Sequence, residues 1–206
     1  MALHELRKDP KYEIVGLLTT VTEDYRRISM HGVREILLEK QADSIGLPLW
    51  KVFISKNGSN EEYESEMKEV LLELQRSGVF AVAFGDISLA DVRKYREGNL
   101  AKVGMKGVFP LWKKDNLSQT FIDLGFKAIV TCVDAKALDK KFAGKLFDRK
   151  FLAELPASVD PNGENGEFHS FVFDGPIFRE KIAFEVGEVV QRDSFYFCDL
   201  VPQDAV

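Results

Sequence analysis

Residues 59–84 read SNEEYESEMKEVLLELQRSGVFAVAF, and this stretch decides the fold. Ser59 and Glu62 have the spacing of a capping box, in which the two side chains meet amides that a helix start leaves unpaired. Tyr63, Met67, Val70, Leu71 and Leu74 then fall on one stripe, with glutamates and a lysine opposite, as on a surface helix lying on a sheet. Gly78 stands where a helix ends in the left-handed conformation. Val79–Phe84 is nearly continuous in its apolar character, which is the pattern of a strand buried on both faces.

The same unit occurs four times. Val33–Ile45 leads through Gly46 to Leu47–Ile54, and Glu61–Arg76 through Gly78 to Val79–Phe84. Leu89–Val103 leads through Gly104 and Gly107 to Val108–Trp112, and Leu117–Leu124 through Gly125 to Phe126–Val133. Ser88 with Asp91 repeats the capping pattern in weaker form, and Asp115 is expected as an N-cap. Helix–strand alternation of this kind predicts βαβ crossovers, hence an α/β fold with a mostly parallel, doubly wound sheet over residues 1–135. After residue 135 the rhythm changes. A helix over Lys145–Leu155 is followed by a turn-rich stretch, Asp160–Gly166, and by strands over Phe168–Phe173, Lys181–Val190 and Phe195–Val201. Residues 136–206 are read as a small α+β appendage. Its phenylalanines are expected to pack on the sheet or on a second copy, which allows a homodimer.

Met1–Pro10 reads as the back half of a helix with Leu3 and Leu6 on one face, and Glu13–Val21 as the first complete strand. In a doubly wound sheet a preceding strand delivers such a helix, and the turn between them binds phosphate. The expectation is that this strand and turn belong ahead of Met1. A sheet without an interior strand would leave two rows of peptide groups unpaired, at about 1–3 kcal/mol for each one buried.

The formal net charge of −5, with no basic stripe to offset it, argues against nucleic acid and anionic membrane as partners. A small anion such as ATP remains compatible, because helix ends and backbone amides bind phosphate locally. Cys132 and Cys198 lie in apolar runs outside any CxxC pattern and are expected to be reduced core residues, which points to a cytoplasmic compartment. No apolar run approaches the roughly 20 residues that span a bilayer, and the charged first ten residues do not read as a signal peptide.

Leu18-Thr-Thr-Val-Thr-Glu-Asp-Tyr25, Ser29-Met-His-Gly-Val-Arg34, Gly85-Asp86-Ile87 with Arg93 and Tyr95-Arg96, Phe109-Pro-Leu-Trp112, and Gly163-Glu-Asn-Gly-Glu-Phe-His169 occur in that order. Together they resemble the diphthine–ammonia ligase-like family of ATP pyrophosphatases, within the adenine nucleotide alpha-hydrolase-like superfamily, over essentially the whole chain. The last motif is closest in form to the bacterial branch. Two departures stand out. The family's Ser-Gly-Gly-Lys-Asp-Ser phosphate loop would end just before Met1, and Asn162 stands where the family tends to have cysteine. The resemblance implies an ATP-binding domain over 1–135 and a substrate-binding subdomain over 136–206. It also implies an enzyme that uses ATP with Mg²⁺ to adenylate a carboxylate-bearing acceptor, which ammonia then converts to an amide. An adenine-nucleotide sensor that has lost the phosphate loop is the alternative.

The candidate residues follow from both readings. Gly85 and Asp86 end the strand Val79–Phe84, where ligands of open α/β sheets collect, though alone they would read as a turn. Thr19, Thr20, Met30 and His31 lie at and after the end of the first strand, beside the nucleotide in the family. Arg93 and Arg96 are candidates for a phosphate or a substrate carboxylate, against the simpler reading of a solvated helix face. Glu164, Glu167 and His169 are the candidate catalytic groups. Gly163 and Gly166 permit a tight loop that turns both carboxylates to one site, able to hold Mg²⁺, orient ammonium or exchange protons. The bland alternative is a solvated turn into a hairpin. His4, His31 and His169 share no metal-ligand spacing, so no zinc site is expected.

Overall fold

Four of the five glycines expected to stop a helix have positive φ: Gly46 at 77°, Gly78 at 92°, Gly104 at 70° and Gly125 at 83°; Gly107 instead lies within a strand, Lys106–Val108, that takes the place of the one expected over Val108–Trp112. The rhythm read from the sequence therefore survives in the computed structural model, which describes residues 1–203. In chain order the elements are α1 (Ala2–Leu6), β1 (Leu17–Thr22), β2 (Arg27–Ile28), α2 (Glu35–Ile45), β3 (Leu49–Ile54) and α3 (Asn60–Arg76). There follow β4 (Ala81–Ala83), α4 (Ala90–Ala101), β5 (Lys106–Val108), α5 (Leu117–Asp123) and β6 (Lys127–Asp134). The last are α6 (Arg149–Glu154), β7 (Phe168–Asp174), β8 (Phe184–Arg192) and β9 (Phe195–Pro202).

The helix starts are less regular than expected. Ser59 Oγ accepts from the Glu62 amide at 3.2 Å, but the Glu62 carboxylate turns to the Ser55 amide and hydroxyl instead of closing the box. Asp115 does not cap α5; Asn116 holds that place at φ 55°, without a side-chain cap bond. Leu89, not Ser88, precedes α4. The helix expected over Lys145–Leu155 begins only at Arg149, because Asp148 accepts from the Phe151 amide at 2.8 Å and sets the start there. Leu146 is taken up by a bridge to Ile129.

Two compact units result. The first comprises Met1–Asp24 and Trp50–Asp115; the second comprises Tyr25–Leu49 and the chain from Asn116 onward. This division differs from the boundary expected near residue 135. The reason lies in β6, which pairs antiparallel with β7 and β9 and so belongs to the C-terminal sheet. Its continuous apolar run reflects burial on both faces, which parallel and antiparallel central strands share.

In the first unit β1 lies beside β3, and β4 pairs in parallel with β5, Ala81 opposite Lys106 and Ala83 opposite Val108. Leu71, Leu100, Val103 and Met105 form its buried cluster, with Met67, Val82 and Phe84 packed against them. Strands β1 and β4 do not pair with each other. Between them runs a cavity of about 620 Å³, edged by Leu17–Thr20 on one side and Ala81–Phe84 on the other, with Leu6 and Met67 among its walls.

The second unit carries an antiparallel sheet in the order β7-β6-β9-β8. Phe151, 1% exposed, anchors its core against Phe142, Phe147 and Phe168. Cys132 and Cys198 are buried free thiols, and burial, with Asp134 nearby, pushes the Cys132 thiol up to about 12, which keeps it unreactive. The molecule is thus a mixed α/β protein with parallel pairing in one unit and a separate antiparallel sheet in the other. Among the described residues no helix is long and apolar enough to cross a membrane.

Candidate functional site

The sequence-predicted residues fall into two groups, one in each unit. In the first unit Thr19 and Thr20 on β1 and Arg96 on α4 line the same cavity. Gly85 and Asp86 follow β4. A Cβ at Gly85 would meet nothing within 4 Å, so a ligand can approach the backbone there. Asp86 is a buried carboxylate, its side chain 10% exposed. Its Oδ1 accepts from Arg96 Nε at 3.2 Å; Oδ2 lies 3.0 Å from the same nitrogen yet accepts no hydrogen bond. The ion pair compensates the charge of a carboxylate whose Oδ2 is enclosed by protein, so Asp86 positions Arg96.

In the second unit the structure brings His31 and His169 together, their ring centroids 4.7 Å apart. His169 sits on β7 opposite Cys132 of β6, which in turn faces Phe197 of β9, so the three form one cross-strand row. His31 rides on a tight turn over Ser29–Gly32, in which Met30 and Gly32 take φ of 62° and 70° and Met30 is 54% exposed. The His31 amide donates to Ser29 O at 2.8 Å, and Nδ1 lies 3.1 Å from the same oxygen. A carbonyl only accepts, so Nδ1 carries the hydrogen and Nε2 keeps its lone pair. Burial lowers the pKa of His31 against the pull of Ser29 O, and burial with the neighbouring His31 lowers that of His169 to about 4. Both rings are therefore neutral at pH 7, and burial resists their protonation.

What fixes the turn is a network that sequence reading did not single out. Arg27 Nη1 donates to Gly32 O at 2.6 Å and to Asp199 Oδ1 at 2.9 Å, while Arg34 reaches both oxygens of Asp199, at 3.1 and 2.6 Å. The hydrogen bonds from Arg34, against the cost of burial and with help from Arg27, hold Asp199 at about 2. No local signal marks this set, because Asp199 lies 165 residues from Arg34. Gly32 is the tightest point. A Cβ there would stand 2.6 Å from the Phe197 ring at a φ that side chains resist. Gly32→Ala is expected to lower unfolding free energy by about 1–2 kcal/mol, read as a fall in urea midpoint at unchanged slope; an unchanged midpoint would show that the turn relaxes freely.

The loop ahead of β7 places Gly163 and Gly166 at φ of 67° and 83°, and a Cβ at Gly163 would meet Phe168 O at 2.8 Å. It does not aim both glutamates outward. Glu167 is buried, accepting from the Asp160 amide at 3.0 Å and from the Asn165 amide and side chain at 3.0 and 3.1 Å. Burial raises its pKa, but these donors outweigh that and leave it below the ordinary value. Glu164 is half-buried. Glu167 Oε1 takes two donors and Oε2 one, so this carboxylate braces the loop that carries Glu164. Asn162 joins the same brace, bonded to Asp160 and to Ser118.

A family profile described as the diphthamide synthase N-terminal domain matches residues 1–107, and one described as the diphthamide synthase C-terminal domain matches residues 113–200. The break between them falls just ahead of Asp115, where the first unit ends. Among curated proteins, the diphthine–ammonia ligase of Schizosaccharomyces pombe is 27% identical over 92% of this chain, which spans 35% of that protein's length. Those of Bos taurus and Homo sapiens are 27% and 26% identical over 84% and 81% of the chain, and 69% and 67% of their own lengths are covered.

Proposed function

Because the chain belongs to the diphthamide synthase family, we propose that it serves an ATP-dependent ligase that joins ammonia to an acceptor carboxylate as an amide. The observation that carries this reading is the ordered match of both family profiles across the chain. The names of the relatives describe ligases of diphthine and ammonia; for this chain the acceptor is proposed only as a carboxylate.

In this reading the first unit is a nucleotide-binding domain of the doubly wound, adenine nucleotide alpha-hydrolase-like kind. Thr19, Thr20, Gly85 and Asp86 would hold the adenine nucleotide. The open glycine gives close approach, and Asp86 holds Arg96 in place at the cavity wall. Bound ATP supplies the activation of the acceptor carboxylate. The cavity beside β4 has room for one further β-strand, which would pair the open edge of β4 and carry a phosphate-binding turn at its end. In the second unit Glu164 handles the proton as ammonia adds, while His31 and His169, both neutral at pH 7, accept the hydrogen bonds that orient it. Gly163 and Gly166 shape the loop that presents Glu164, and Met30 offers the exposed apolar contact beside the histidines.

A calorimetric titration with Mg·ATP tests the nucleotide half. The 206-residue chain is expected to bind weakly, and a form extended at its N-terminus by an apolar strand and a Ser-Gly-Gly-Lys-Asp-Ser loop is expected to bind in the micromolar range. If neither form binds, the nucleotide reading is removed. Tight binding by both, without conversion of ATP to AMP, would favour a nucleotide sensor instead.

A further inference from the structure

Five side chains at the C-terminal ends of β4 and β5 are threaded in a single series. The Arg93 guanidinium lies in the angle between Trp112 and Phe109, 4.7 and 4.6 Å from their ring centroids. Phe109 stacks on Phe84 at 5.5 Å and 23°, and the far member, Arg96, lies 4.4 Å over Phe84. The two cations are not equivalent. Arg96 is paired with the buried Asp86. Arg93 donates only its Nε, to the Glu97 carboxylate at 2.9 Å, and that partner is 45% exposed and correspondingly screened. Among the described residues the Nη atoms of Arg93 have no hydrogen bond or ion pair.

The consequence follows from the shape of a guanidinium. Phe109 and Trp112, their centroids 6.2 Å apart at 67°, flank it on two adjacent sides and hold it without accepting a hydrogen bond from any N–H. Glu97 occupies the Nε edge and fixes the rotation of the plane. What remains available is the pair of Nη groups, held on a half-buried side chain, a geometry that matches two oxygens of one planar anion. The location is where ligands of open α/β sheets collect, beyond the carboxyl ends of the strands.

We propose that Arg93 is the receptor for the acceptor's carboxylate, with Phe109 and Trp112 as the clamp that orients it. A carboxylate is favoured over a phosphate by charge. Arg93 and Arg96 are balanced by Glu97 and Asp86, so the cluster offers one directed fork and no surplus positive field for a dianion. The assignment rests on the ligase reading for the identity of the ligand as acceptor, but the receptor itself is tested without nucleotide or turnover.

Trp112 supplies the readout, since the chain has only two tryptophans. In the full chain bearing Trp50→Phe, Trp112 emission is titrated at constant ionic strength with acetate, with hippurate and with inorganic phosphate. Both carboxylates are expected to give a saturable change, and phosphate a response at least tenfold weaker. Arg93→Gln is expected to abolish the change, and Arg93→Lys to weaken it about tenfold, because an ammonium retains charge but lacks the planar fork. Circular dichroism melts identify any variant that fails to fold, and Arg93→Lys carries the test if Arg93→Gln does. A carboxylate response that survives in the lysine variant at full strength, no saturable response in the parent, or tighter binding of phosphate would each overturn the assignment. None of these outcomes depends on whether Mg·ATP binds.

Discussion

Glu164→Gln is expected to lower ammonium-dependent conversion of ATP to AMP by about 10²–10⁴-fold, the usual weight of one proton-transfer group, with the unfolding midpoint unmoved. Glu167→Gln should do the opposite, costing about 1–3 kcal/mol of stability. The two glutamates are three residues apart in one loop, and Glu167 has its carboxylate enclosed by donors from Asp160 and Asn165. An amide in its place would turn an NH₂ toward N–H groups that need an acceptor. Glu164, half-buried between two left-handed glycines, holds the position from which a carboxylate can exchange protons with a ligand. The comparison is made in the form that carries the phosphate loop, with turnover followed by AMP release and stability by urea. Full turnover in the Glu164 variant would end its assignment, and an unmoved midpoint in the Glu167 variant would show that the brace is dispensable.

The spacing of the motif put both glutamates forward as equals, and the structure separates them. Sequence patterns report which residues share a stretch of chain; they do not report which way a buried loop turns its polar groups. The helix–glycine–strand rhythm was legible because it is local: an amphipathic stripe, a left-handed stop and an apolar run follow one another within about 25 residues, as in the unit over 59–84. The partner of a strand is not local. The run Phe126–Val133 reads like those before it, and only its pairing with β7 and β9 assigns it to the antiparallel sheet. The same limit hid the Asp199 network, whose Arg34 and Asp199 meet across 165 residues of chain. His31 and His169 were both named from motifs, but nothing in their separation of 138 residues (169 minus 31) foretold that the rings touch.

That contact makes the second unit sensitive to acid in an unusual window. As the pH falls from about 6.5 to 4, the protein is expected to lose on the order of 2 kcal/mol of stability. His169 has a folded pKa of about 4 against an ordinary 6.5, from burial and the adjacent His31, and burial lowers His31 in the same direction. Within the window the unfolded chain binds a proton at His169 and the folded chain does not. The stabilisation is therefore complete above 6.5, declines as the pH falls, and is gone below about 4. The full shift would be worth about 3 kcal/mol, and partial access of water to the ring reduces it. Carboxylate losses fall mostly lower: Asp199, held at about 2 against an ordinary 3.8, gives up its contribution as the pH falls between those values. Urea midpoints measured at half-unit steps of pH separate the two. His169→Gln is expected to flatten the profile between 6.5 and 4 while preserving the loss below 4. If variant and parent fall in parallel, the histidines are not the source. The link to function lies in the same burial, which keeps both imidazoles neutral at pH 7, each with a ring nitrogen that can accept a hydrogen bond from ammonia and little tendency to take up a proton.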